Sequence, residues 1–235
     1  MGPQSYRQYE PVDAWPGSAE ELVRAQEQLA RATPQEWHFP DGPSAIGGCF
    51  ICFERGPTGR GREGEPAWAA AAVVRSGRVI ASAVVTGEAG DAYEAGLLAL
   101  REGAPLEAAV RALAEPPDVL LVDATGRDHP RRAGLALHLG AILDLPTVGV
   151  THRPLLAEGD WPRDERGAQC PLRLGKEIVA YWLRTRAGTR PLAVHAAWRT
   201  DPDTAVAVAL ASLGRWRTPE PLRAARRRAR TARGD

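Results

Sequence analysis

Asp118-Val119-Leu120-Leu121-Val122-Asp123-Ala124-Thr125-Gly126 sets a short apolar run directly before an acid and a glycine-containing turn. Four consecutive apolar residues bounded by turn residues predict a strand buried on both faces, the kind that parallel sheets use. The acid at its C-terminal end stands where open α/β sheets carry their functional groups. Downstream, Pro130 to Leu143 predicts a helix and Thr147-Val148-Gly149-Val150 a second buried strand, which completes a strand–helix–strand unit.

Upstream the period changes. Ile46 to Phe53, Ala67 to Val74 and Val79 to Val85 are apolar runs of strand length, the last two joined by Arg75-Ser76-Gly77-Arg78, and they predict three consecutive antiparallel strands. Ahead of them, Ser18 and Glu21 form a capping box, with Leu22, Ala25, Leu29 and Ala30 at helical spacing before Thr33-Pro34. Tyr93 to Leu113 has helical character, with a break expected at Gly103-Ala104-Pro105. Ile178 to Arg184 and Leu192 to Val194 predict a strand pair, and Pro202 to Leu213 a helix capped by Asp201 and ended by Gly214. The expected organisation is one mixed α/β domain over residues 17–222, an N-terminal tail 1–16 and an Arg-rich C-terminal tail 223–235.

Composition narrows the function classes. The 235 residues are 44% hydrophobic and 25% charged, and 30 Lys+Arg against 29 Asp+Glu leave a net charge of +1. No global field recruits nucleic acid, so an electrostatic footprint must be a local patch. No apolar run reaches the roughly 18 residues of a membrane span, and no signal peptide precedes the first helix, so a soluble, cytoplasmic protein with no membrane partner is expected. Cys49 and Cys52 show redox-motif spacing, but in a strand their side chains face opposite sides.

Asp123 is followed six residues later by His129 and then by Pro130-Arg131-Arg132. A carboxylate for Mg²⁺, an imidazole that can position water or phosphate, and guanidinium groups for phosphate oxygens are what phosphodiester cleavage requires. The alternative reading of Asp123 is a turn cap, and for Glu102, standing alone, a surface glutamate is the default.

The run from Val122 to Ala136, continuing through His138-Leu139-Gly140 and Leu145 to Val150, resembles endonuclease V, a repair nuclease family with a ribonuclease H-like fold. Tyr93 to Gly103, Arg184-Thr185-Arg186, Arg217 to Pro221, Trp15 and Gln26 fit the same family. The resemblance implies a ribonuclease H-like mixed sheet flanked by helices. It also implies Mg²⁺-dependent cleavage, with Mn²⁺ as the substitute ion, 3′ of hypoxanthine or inosine in single- or double-stranded DNA or in RNA. Carried over, Glu102 and Asp123 are metal carboxylates and His129 a catalytic-site histidine. Tyr93 is the wedge that props strands apart, and Gly96, Leu97 and Leu98 line the pocket for the extruded base. Gly126, Arg131 and Arg132 fall among the nucleic-acid contacts. Extrusion is physically reasonable, because the altered edge of the base is hidden inside a stack.

The chain departs from the family pattern at three active-site positions. Phe50 aligns with the first-strand metal aspartate, His152 with a catalytic lysine, and Trp198 with a further histidine. Cys52 is a poor ligand for a hard cation, and Glu54 lies about 13 Å beyond Phe50 along a strand. The C-terminal arginines 223, 226, 227, 228, 230 and 233 would surround a helix rather than stripe it, as a solvated tail or a phosphate contact. Three functions follow: a working nuclease in which His152 covers for the lysine, a silent nucleic-acid binder, or a site repurposed for a small molecule with no nucleic-acid partner.

Overall fold

The computed structural model describes residues 14–42, 44–56 and 59–235. In chain order the elements are α1 (Ala19–Arg31), β1 (Ile46–Phe53), β2 (Pro66–Arg75), β3 (Arg78–Glu88), α2 (Leu98–Arg111), β4 (Val119–Val122), α3 (Leu135–Leu143) and β5 (Thr147–Thr151). They continue with β6 (Gln169–Leu174), β7 (Glu177–Leu183), β8 (Leu192–Ala196), α4 (Pro202–Ala211) and α5 (Glu220–Arg233). The eight strands form one sheet in the order β3-β2-β1-β4-β5-β8-β7-β6. Pairings β1–β4 and β4–β5 are parallel and the others antiparallel. This is the single-domain ribonuclease H-like mixed sheet flanked by helices that the sequence predicts.

Alternation along β1 and β4 divides the core into two layers. Cys49, Ile51, Leu120 and Val122 face α1, α2 and α3, whereas Ile46, Val119 and Leu121 face α4 and the start of α5. Cys49 and Cys52 therefore sit in different layers, and both are free thiols.

Four expectations need correction. Pro105 does not break α2, which runs unbroken over Leu98–Arg111. The Arg101 carbonyl that a residue-105 N–H would have bonded instead accepts from the Gly90 N–H at 3.1 Å. Gly103 is needed for packing, since a Cβ there would lie 2.5 Å from the Trp15 ring. The helix after β4 starts at Leu135 and not at Pro130, because the chain first turns through Arg132 at φ 59°. Strand β6, at the sheet edge with Pro171 inside it, has no apolar run to announce it.

The fourth correction concerns the C-terminus. Residues 220–233 are helix α5, so the boundary expected between Leu222 and Arg223 falls inside an element packed on the sheet. Ala224, Ala225 and Ala229 bury against Ala70, Ala72 and Cys52, and small side chains on both sides bring helix and sheet close. Gly48 permits the closest approach, since a Cβ there would lie 2.5 Å from the Pro221 carbonyl carbon. Of the expected N-terminal tail, residues 1–13 lie outside the described residues, while Trp15 packs on His138 with ring centroids 4.8 Å apart and donates to Glu107 at 2.7 Å. Among the described residues no helix is long and apolar enough to cross a membrane.

Candidate nucleic-acid site

The site forms at the C-terminal ends of β4 and β5. Register places Cys49 opposite Val122, so Phe50 and Asp123 are the next neighbours across the parallel β1–β4 pair. Glu54, the next acid along the chain, lies beyond the end of β1 and is exposed. Both Phe50 and Asp123 are met by Arg226 from α5. Its Nη2 donates to Asp123 Oδ2 at 3.0 Å, and its guanidinium carbon lies 4.8 Å from the Phe50 ring centroid. Arg230, one turn on, lies 6.0 Å from the same ring.

Glu102, on α2, is the second predicted carboxylate. Burial foremost, then the nearby charge of Asp123, pushes its pKa up to about 8 against an opposing effect of Arg101, so the carboxyl is mostly protonated at neutral pH. The Cys49 thiol, in the α1–α3 layer, is pushed up by burial and then by Asp123 and Glu102. Among the described residues no group of three or more His, Cys, Asp or Glu is placed to hold a metal ion.

Beside Asp123 opens a cavity of about 170 Å³ whose lining includes Tyr93, Gly96, Leu98, His129, Thr151 and Leu155. Its wall is built around one backbone carbonyl. Gly96 O accepts from Gln26 Nε2 at 3.1 Å and from Arg131 Nη2 at 2.8 Å, and is 3.1 Å from His129 Nε2. The amide N–H of Arg131 donates to His129 Nδ1 at 3.2 Å, which leaves the ring proton on Nε2, directed at Gly96. Burial, followed by the charge of Arg131, lowers the His129 pKa to about 4, so this imidazole is neutral and committed to holding the wall. Tyr93 stands 48% exposed at the rim.

The other predicted residues disperse. Leu97 caps α2 and packs into the α1–α3 layer rather than lining the cavity. Arg131 bonds Gln26 Oε1 as well as Gly96, and Arg132 pairs with Glu177. Gly126 serves packing, since a Cβ there would lie 2.1 Å from the Ala196 carbonyl oxygen. Trp198 is fully buried. His152 accepts from Arg217 Nη1 at 3.1 Å, and burial, then Arg217, lowers its pKa, so it supplies no fixed cation. The positive charge near Asp123 comes instead from Arg226.

Two residues that frame the site escaped the sequence reading. Asp128 is fully buried and accepts the backbone N–H groups of Leu155, Leu156 and Ala157 at 2.6, 2.9 and 2.8 Å, which fixes the loop carrying the cavity-lining Leu155. Arg226 was one arginine among six. The signal for it was available as helical spacing: 223, 226, 227 and 230 do share one face, whereas Arg228 bonds Ala224 O and Arg233 bonds Phe53 O.

A family model of endonuclease V matches residues 27–227. The chain is 36% identical to endonuclease V of Streptomyces avermitilis over 214 residues, 90% of each chain, and 39% identical to that of Methanopyrus kandleri over 212 residues, 88% of this chain and 85% of the relative. The crystal structure of the Streptomyces avermitilis protein superposes with a TM-score of 0.82, covering 93% of this chain and 94% of that one. Ciona intestinalis endonuclease V, in complex with a 24mer DNA containing an inosine followed by a ribo-adenosine, shares the fold with a TM-score of 0.74 at 20% identity, over 91% of this chain and 96% of that one. On these matches, which span nearly the whole sheet and its helices, the chain belongs to the endonuclease V family.

Proposed function

We propose that this protein recognises a deaminated purine, hypoxanthine or inosine, extruded from DNA or RNA into the cavity beside Asp123, and that it does so without metal-dependent cleavage. The observation that carries the reading is the Arg226–Asp123 ion pair laid over Phe50 at the lip of the cavity. The donor set does not fit Mg²⁺ or Mn²⁺. Phe50 offers no oxygen and Asp123 is paired with a guanidinium, which leaves the buried Glu102 as the one carboxylate of this set without a cationic partner bonded to it. The His129 ring is committed on both nitrogens, accepting from the Arg131 N–H and facing Gly96 O, and so is not free to take a proton from an attacking water.

The recognition half rests on what is retained. The cavity is walled by backbone and by the Gln26–Gly96–His129–Arg131 network, a rigid lining suited to an unstacked base. Tyr93, exposed at its rim, would occupy the gap that such a base leaves in its strand. The inosine-containing DNA bound by the Ciona relative is consistent with this ligand class. A role in DNA repair would then be one of marking the lesion.

The test incubates purified protein with labelled single- and double-stranded oligonucleotides with and without inosine, in Mg²⁺ or Mn²⁺, beside Asp123→Ala and a gel-shift lane. The expected result is an inosine-selective shift with no nick. Specific nicking that Asp123→Ala abolishes would overturn the loss of cleavage, and no shift with any strand would redirect the search to small molecules.

A further inference from the structure

Phe50 is the most informative residue outside the cavity, because it does more than remove an oxygen. Its ring supports two guanidinium groups, Arg226 at 4.8 Å and Arg230 at 6.0 Å, while Trp216 supports Arg223 at 4.8 Å. A guanidinium lying over an aromatic face keeps its N–H edges in the plane for another acceptor, and the stacking removes part of the entropy cost of holding it there. These arginines line an open groove of about 630 Å³ along α5, with Arg55, Arg217 and Arg227. Its charge is only partly compensated. Asp235 pairs with Arg55 and Arg233, and Glu220 lies 3.4 Å from Arg223, but among the described residues Arg227 and Arg230 pair with no carboxylate.

Groove and cavity meet. Asp123 lines the cavity and bonds Arg226 of the groove, while Thr151 lines the cavity and the next residue, His152, bonds Arg217 of the groove. A chain of phosphates leaving a base seated in the cavity has a continuous positive path along α5. Net charge cannot explain this path, since the whole chain carries only +1.

We infer that the α5 groove is a metal-free binding site for the sugar-phosphate backbone of a single nucleic-acid strand, in which the Arg226 guanidinium, seated between Asp123 and Phe50, takes the place of a bridging divalent cation. Arg223, Arg227 and Arg230 extend the site along the helix. The assignment of the ligand as nucleic acid rests on the proposed base recognition; the metal-free anion path rests on the arginines and their aromatic supports. Arg226 holds the path together, because it neutralises the acid that would otherwise repel a phosphate.

The test is fluorescence anisotropy with a labelled single-stranded oligonucleotide, in EDTA and in Mg²⁺, across a range of salt, for the natural chain and for Arg227→Ala with Arg230→Ala. Both side chains are exposed, and unchanged melting confirms that the variant folds. Binding is expected in EDTA, with a log–log salt slope that falls in magnitude by about 1.4 in the double variant, roughly 0.7 for each phosphate no longer neutralised. Inosine preference should survive in that variant. An unchanged slope and affinity in the double variant, or binding only with Mg²⁺, would overturn the groove. Equal binding of inosine and adenosine strands with the slope still sensitive to the arginines would keep the groove and reject the base reading.

Discussion

Arg226 Nη2 lies 3.0 Å from Asp123 Oδ2, joining residues 103 positions apart across the site. The pair is partly open to solvent, with side chains 25% and 31% exposed, so screening keeps its direct contribution to stability modest. Its consequence is chemical. It satisfies with protein charge a carboxylate that would otherwise be available to a metal.

Restoring the acid and removing its competitor should therefore restore metal binding. Phe50→Asp with Arg226→Ala is expected to bind Mn²⁺ at least about tenfold more tightly than the natural chain, a difference of about 1.4 kcal/mol. Electron paramagnetic resonance of free Mn²⁺ measures it directly. Phe50→Asp alone should gain much less, because Arg226 remains to pair with the new carboxylate.

Glu102 makes stability depend on pH in a defined direction. Its folded-state pKa of about 8 lies above the ordinary value of 4.5, so between these values the folded protein binds more protons than the unfolded chain. Stability from this group is then lost as pH rises from about 4.5 to about 8. Glu102→Gln should be near neutral at pH 4.5 and increasingly stabilising as pH rises, by about 4 kcal/mol at pH 8. Urea melts at the two values check the sign, and an equal effect at both would refute it.

Asp128 should be among the most sensitive positions. Replacing it with alanine leaves three loop N–H groups, those of residues 155–157, without their acceptor, at an expected cost of about 3–5 kcal/mol. Asp128→Asn, which keeps one acceptor oxygen, should lose less. Since Leu155 lines the cavity, inosine selectivity in the gel shift should fall with the loop's order.

Gly103→Ala tests the packing of the N-terminal segment. The added methyl would meet the Trp15 ring at 2.5 Å, so the indole must move off α2 and release its bond to Glu107. Overpacking of this kind costs about 1–3 kcal/mol, and the expected readouts are a lowered melting temperature and a red-shifted tryptophan emission.

Local sequence was informative wherever burial imposes a period. The parallel strands β4 and β5 read as apolar runs because both faces are covered, and the capping box at Ser18 announced α1, where Ser18 Oγ accepts from the Glu21 N–H at 3.3 Å. Pro105 misled, because its compensation is a bond from Gly90 in another segment. Edge strand β6, with a proline inside and its outer side bridged at Arg173 by Glu158, has weak local requirements and left no pattern to read.

Taken by itself, the amino-acid sequence determined the family, the fold class, the position of Asp123 at a strand end and the absence of an acid at residue 50. Only the tertiary structure decided what these residues do together. An arginine run specifies a helix face only once something covers the opposite face, and here Gly48, Ala70 and Ala72 do so by admitting Pro221, Ala224, Ala225 and Ala229 at close range. That seating, set by small residues far apart in the chain, turns Arg226 toward Phe50 and Asp123. Partner choice for a charge follows from three-dimensional distance and burial, which no spacing along the chain encodes.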